Sequence, residues 1–205
     1  MLRKRLTTIG IIAVIALTCS NAWGFDGLRK GFVLGGGLGF SPSSKWSGPL
    51  ITAIDNNTNA VFIEVIEESK AGIAVNLLVG YAWDEQNMLV YEFNASAYQS
   101  DIFIGDRVIS QGFSGAAWYH YFGSMGSTLF SVLGIGIFTF ELQDADSNDP
   151  GIGGMVGGGY EFSNHWQVGA YVSAGKTSDA LKNFFVGIDD WSHVQVNVLV
   201  NAIAF

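Results

Sequence analysis

Three side chains stand out for chemistry: Glu92, His120 and Glu161. A carboxylate and an imidazole within reach of each other can pair or pass a proton. His120 with Ser124, and His193 with Ser192, are the local pairs that could supply a nucleophile and its base. Neither has an evident acid to orient the histidine. Asp144-Ala145-Asp146-Ser147-Asn148-Asp149 opens like a calcium loop, with oxygens at alternate positions. Its expected glycine is Asp149 and its twelfth position is Met155, so the motif is broken and reads as an acidic, solvated loop tip. No His/Cys cluster suggests zinc, and the 27 glycines form no phosphate-binding or dinucleotide-binding motif. No catalytic, cofactor or metal site is expected.

The elements that must position these residues read as strands. Eight runs alternate in polarity: 31–40, 72–83, 88–98, 109–122, 129–140, 152–162, 166–175 and 192–205. A strand tilted by about 40° needs roughly 10 residues to cross an apolar band of about 25 Å, and every run is long enough. In the first, Phe32, Leu34, Leu38 and Phe40 oppose a row of glycines. In the third, Leu89, Tyr91 and Phe93 oppose Glu92, Asn94, Ser96 and Tyr98. In the fourth, Ile109, Phe113, Tyr119 and Tyr121 are expected outside, with Ser110, Ser114, Trp118 and His120 inside. Glu92 and His120 then face one interior from adjacent strands and could pair. Glu161 joins them in a polar cluster whose expected role is to fill and fix that interior, held by His120, Tyr98, Asn94 or Gln167. Two places fit less well. Segment 50–68 has its own alternation and predicts either a hairpin rising above the membrane or an extra strand pair, making ten. The last run carries valines on one face but Leu199, Ile203 and Phe205 on the other, which predicts a bulge near Asn201.

The count of charges fixes which solvent the outside meets. The eight runs contain no Lys, Arg or Asp, and their only acids are Glu92 and Glu161. The chain is 49% hydrophobic and 14% charged, against about 25% charged in ordinary soluble domains. Past the N-terminus it has no apolar run long enough for a membrane helix. A sheet whose outer face meets lipid must close on itself, or its edges leave backbone groups unpaired. The expected fold is all-β: a closed, antiparallel, up-and-down transmembrane β-barrel of eight strands, alternatively ten. The short connections 84–87, 123–128 and 163–165 lie at one end. The longer ones at the other end are acidic and hold all three prolines, Pro42, Pro49 and Pro150. Residues 1–22 read as a signal peptide, with Arg3, Lys4 and Arg5 ahead of a short apolar core and cleavage after Ala22 or, second, Gly24. The barrel domain is then 23–205. Losing those three positive charges and no acid moves the formal charge from −8 to −11, which excludes nucleic acid as a partner.

These features resemble the small outer-membrane β-barrel family of Gram-negative bacteria. The residues that carry the resemblance are the opening strand Lys30-Gly31-Phe32-Val33-Leu34-Gly35, the turn Gly159-Tyr160-Glu161-Phe162-Ser163-Asn164-His165-Trp166 and the terminal Phe205. The resemblance implies export through the periplasm into the outer membrane, among its lipids and lipopolysaccharide. It implies that Phe205 is the signal read by the barrel-assembly machinery. Some members resemble lipid A-modifying enzymes with a Ser, a His and an acid, a set this chain does not assemble. The expected function is a non-enzymatic structural or surface-interaction role with acidic extracellular loops. The alternative is a conduit for small hydrophobic molecules. Nothing in the sequence names an extracellular ligand.

Overall fold

The structure is a computed structural model that describes residues 28–55, 60–102, 107–143, 148–178 and 190–205, with side chains described outside 50–63. The signal peptide and the calcium-like loop at 144–147 lie outside the described residues.

Alternating polarity builds eight strands: β1 (Gly31–Asp55), β2 (Ala60–Ala82), β3 (Asn87–Ser100), β4 (Arg107–Tyr121), β5 (Thr128–Leu142), β6 (Gly151–Ser163), β7 (Trp166–Thr177) and β8 (Trp191–Ala204). Each pairs antiparallel with its neighbour in sequence, and β1 pairs with β8 to close the barrel. Closure at eight excludes the ten-strand alternative. Segment 50–68 instead lengthens β1 and β2 into a long hairpin, in register from Gly48↔Ile66 to Asp55↔Ala60.

The outer surface is apolar. Leu38 is 72% exposed, Ile135 72% and Ile152 81%. Water would penalise such a surface and lipid does not, so this face is a membrane face. Inside, side chains fill the lumen, as expected of so few strands. Bulky groups from β4, β5 and β7 are balanced by glycines on β1 and β6. At Gly39 a Cβ would lie 1.9 Å from the Val198 carbonyl oxygen, so only glycine lets β1 approach β8 there.

Two details differ from the alternation. The bulge falls in β1, between Ser41 and Ser44, and not in β8. Leu199, Asn201, Ile203 and Phe205 all point inward without interruption. Their apolar members pack on Val33, Leu78 and neighbouring core residues, so both hydrophobic faces of β8 are used, one on lipid and one on the core. Strand β4 is turned over. Phe113, Tyr119 and Tyr121 are fully buried inside, while Trp118 is exposed on the outer face and His120 lies on that same face. The tyrosines go in because their hydroxyls find buried acceptors there.

Candidate functional site

The lumen is organised in three layers. The floor is set by a residue from outside the strands. Arg29 precedes β1, is 0% exposed and pairs with Glu161, which is also buried. Its guanidinium also donates to the Glu85 carbonyl in the β2–β3 turn, and it lies 3.7 Å from the centre of the Tyr121 ring. The Gly126 N–H of the β4–β5 turn donates to Glu161 Oε2 at 2.9 Å. One ion pair therefore ties the N-terminal segment to three turns. Phe205 packs beside it, 6.0 Å from the guanidinium, and is buried rather than facing lipid. His165 holds the end of β8. Its Nδ1 lies 2.9 Å from the Ile203 carbonyl and must donate, and its own carbonyl accepts the Ile203 N–H at 2.8 Å. His165 adopts a φ of 76°, which the tight β6–β7 turn requires.

The middle layer is polar and follows one register row around the wall. Thr128↔Glu161, Glu161↔Gln167, Gln167↔Asn201, Asn201↔Gly37, Gly37↔Asn76 and Asn76↔Asn94 are successive cross-strand pairs. Glu92 sits beside this row, fully buried. It accepts from Asn76 Nδ2, from Asn94 Nδ2 at 3.4 Å and from the Tyr119 hydroxyl at 2.8 Å. Tyr121 donates to Gln167 at 2.9 Å, and Asn201 Nδ2 donates to the Tyr171 hydroxyl at 2.8 Å.

The ceiling is aromatic. Trp46 and Trp191 stack with ring centres 4.9 Å apart, and Phe140 closes on both, at 5.8 and 5.3 Å. Trp46 Nε1 donates to Glu68 at 3.1 Å, and Ser100 donates to the same oxygen at 2.7 Å. Glu68, expected in an acidic loop, is buried in β2. His193 stacks between Phe138 and Phe140 and bonds Thr177 through Nε2 at 2.7 Å. It makes no printed bond to Ser192, which faces outward.

The structure thus separates the expected cluster. Glu92 and Glu161 are interior, but each has its own partners. His120 is a correction: it sits on the outer face at the short-turn rim, between Trp118 and Phe122. Its Nδ1 lies 2.9 Å from Asn87 Oδ1, which also accepts from Trp118 Nε1 at 3.3 Å. Asn87 Nδ2 is held by Asp84 in the adjoining turn. Partial desolvation of Asp84 is outweighed by bonds from Gln86 and Asn87, which hold its carboxyl below its ordinary range. On the opposite rim, the bond from Lys70 to Asp101 raises the lysine above its ordinary value, against its own desolvation. Sequence reasoning missed Arg29 and His165, because one lies before the first strand and the other in a turn. The available signal for Arg29 was that an interior holding carboxylates needed a base from somewhere, and Arg29 adjoins β1.

The crystal structure of Ail, the attachment invasion locus protein of Yersinia pestis, in complex with the heparin analogue sucrose octasulfate, is similar to this chain. The TM-score is 0.50, over 86% of this chain and 99% of that one, at 12% identity. The fold is that of the small outer-membrane β-barrels. Neisserial surface protein A is also similar, with a TM-score of 0.44 at 11% identity over 83% of this chain and 95% of that one. The outer membrane protein OprG of Pseudomonas aeruginosa gives 0.45 at 14%, over 88% and 96%. No family model and no curated protein matches the chain.

Proposed function

We propose that this chain is an integral outer-membrane barrel that acts at the cell surface, as a structural or interaction protein without enzymatic chemistry. It sits among outer-membrane lipids and lipopolysaccharide after export under the signal peptide 1–22. Phe205, at the end of β8, is the residue offered to the barrel-assembly machinery.

The observation that carries the reading is the β1–β2 ribbon. Among the described residues, β1 last pairs with β8 at Ser47↔Ser192, and β2 first pairs with β3 at Ile73↔Ala97. Beyond these points the two strands pair only with each other, up to Asp55↔Ala60. Eight residues of β1, from Gly48, run roughly 25 Å past its last bond to β8. The outer edges of such a ribbon are templates for an added strand. Lumen packing supports the same reading, because the aromatic ceiling and the Arg29 floor leave little room for a solute path. The charge of the exposed rim sets the kind of partner. The Ail structure holds a polyanion, whereas Glu64, Glu67 and Asp101 are exposed here on a chain of net charge −8, which favours basic surfaces or divalent cations.

The test is to replace 48–66 by a short turn and display the variant on cells. The barrel should stay heat-modifiable on gels while attachment of the cells to protein-coated surfaces falls. Unchanged attachment with a folded barrel would overturn the surface role. Uptake of small hydrophobic probes into vesicles carrying the wild type would favour the conduit instead.

A further inference from the structure

The middle of the lumen holds a carboxylate without a cation. Glu92 is fully buried, and no ion pair reaches it among the described residues. The buried guanidinium, Arg29, is engaged by Glu161 at the floor. A buried charge is costly unless it is paired.

The side chains around Glu92 offer oxygens. Asn76 and Asn94 each give an N–H to the carboxylate, and Asn197 gives its own to Asn94 Oδ1 at 2.6 Å. With those bonds made, the Oδ1 atoms of Asn76 and Asn197 are buried and accept from no protein donor. Asn201 Oδ1 is in the same position. Gly37 explains how side chains from β2 and β8 share this space. Its register partners are Asn76 on one side and Asn201 on the other, and a Cβ there would lie 1.7 Å from Asn201 Oδ1. The glycine leaves the space over β1 to its neighbours' amides. The centre of the lumen is therefore rich in acceptors, short of donors and negative.

We propose that an alkali-metal cation, Na⁺ or K⁺, binds here against Glu92, with the amide oxygens of Asn76 and Asn197 as further ligands. Hard cations take oxygen ligands of this kind. The valence follows from charge balance. A single positive charge neutralises Glu92, whereas a divalent ion would leave a buried excess charge. With floor and ceiling packed, the ion enters as the barrel closes and is retained afterwards.

The experiment uses the full mature chain, refolded from urea into phosphatidylcholine vesicles in NaCl, in KCl or in choline chloride at equal ionic strength. After exchange into choline chloride, alkali metal is measured by atomic emission, and melting by heat modifiability. The wild type refolded with Na⁺ or K⁺ should retain about one ion per chain and melt higher than the choline-refolded protein. Glu92→Gln should retain none and melt alike in all three salts. Tyr119→Phe, which keeps the carboxylate, should still retain the ion. Wild type without retained ion overturns the proposal, whether or not Glu92→Gln folds. Equal retention in Glu92→Gln overturns it too. So does a protonated-carboxyl infrared band in the wild type that disappears in Glu92→Gln.

Discussion

At the residue scale, the floor of the lumen makes the sharpest demand. Arg29 and Glu161 are both buried, so removing one leaves the other charged in a desolvated place. Arg29→Ala should cost about 3–5 kcal/mol, whereas replacing both by apolar residues of similar volume should cost much less. Urea titrations of the folded barrel in vesicles give both values, and a double-mutant cycle gives the coupling. The same method checks the separation of Glu92 from His120. Because Glu92 bonds Tyr119 and the asparagines while His120 bonds Asn87 outside, Glu92→Gln and His120→Ala should add without coupling. The expected Glu92–His120 pair failed for a physical reason. In β4 both faces carry rings, and alternation alone does not say which ring goes in. A buried tyrosine hydroxyl needs an acceptor, and Glu92 and Gln167 supply two; Trp118 suits the interface, where its indole meets Asn87. Arg29 was hidden because a search of the strand runs alone finds no base.

At the element scale, each strand must present one face to lipid. Ile135, central in β5 and paired with Ala116 and Gly154, is 72% exposed on that face. Ile135→Arg should cost about 2–4 kcal/mol, against about 0–1 for Ser127→Arg at the rim. Equal costs in vesicle folding titrations would contradict the depth assignment. The β2–β3 turn carries a pH signature. Hydrogen bonds from Gln86 and Asn87 hold Asp84 below its ordinary range, so its contribution is present above the unfolded carboxylate pKa. It is lost as pH falls through the lower, folded value. The wild type should lose stability over that acidic interval, and Asp84→Asn should lose less of it. Strands β1 to β3 were legible because glycines, asparagines and Glu92 stand opposite bulky apolar residues. Strand β8 was not, since Leu199 and Ile203 are as apolar as the valines facing lipid. The expected bulge resolved a conflict that the apolar core removes. The long hairpin was legible as an alternation at 61–65, but its pairing needed the register of both strands.

At the scale of the whole molecule, the barrel is a filled cylinder with a ribbon above it. The absence of charge from the strand runs decided that the outside meets lipid, and closure at eight strands follows from the need to pair every edge. What fills the cylinder was beyond reach, because the ceiling joins Trp46 from a segment expected as loop with Trp191 from just before the last run. That filling carries the central claim: the protein acts by its surface, not by passage through its lumen. Conductance across planar bilayers tests this most directly. The folded wild type should show no discrete current steps at any applied voltage. Reproducible steps from the folded wild type would contradict the account and return the lumen to the centre of the protein's function.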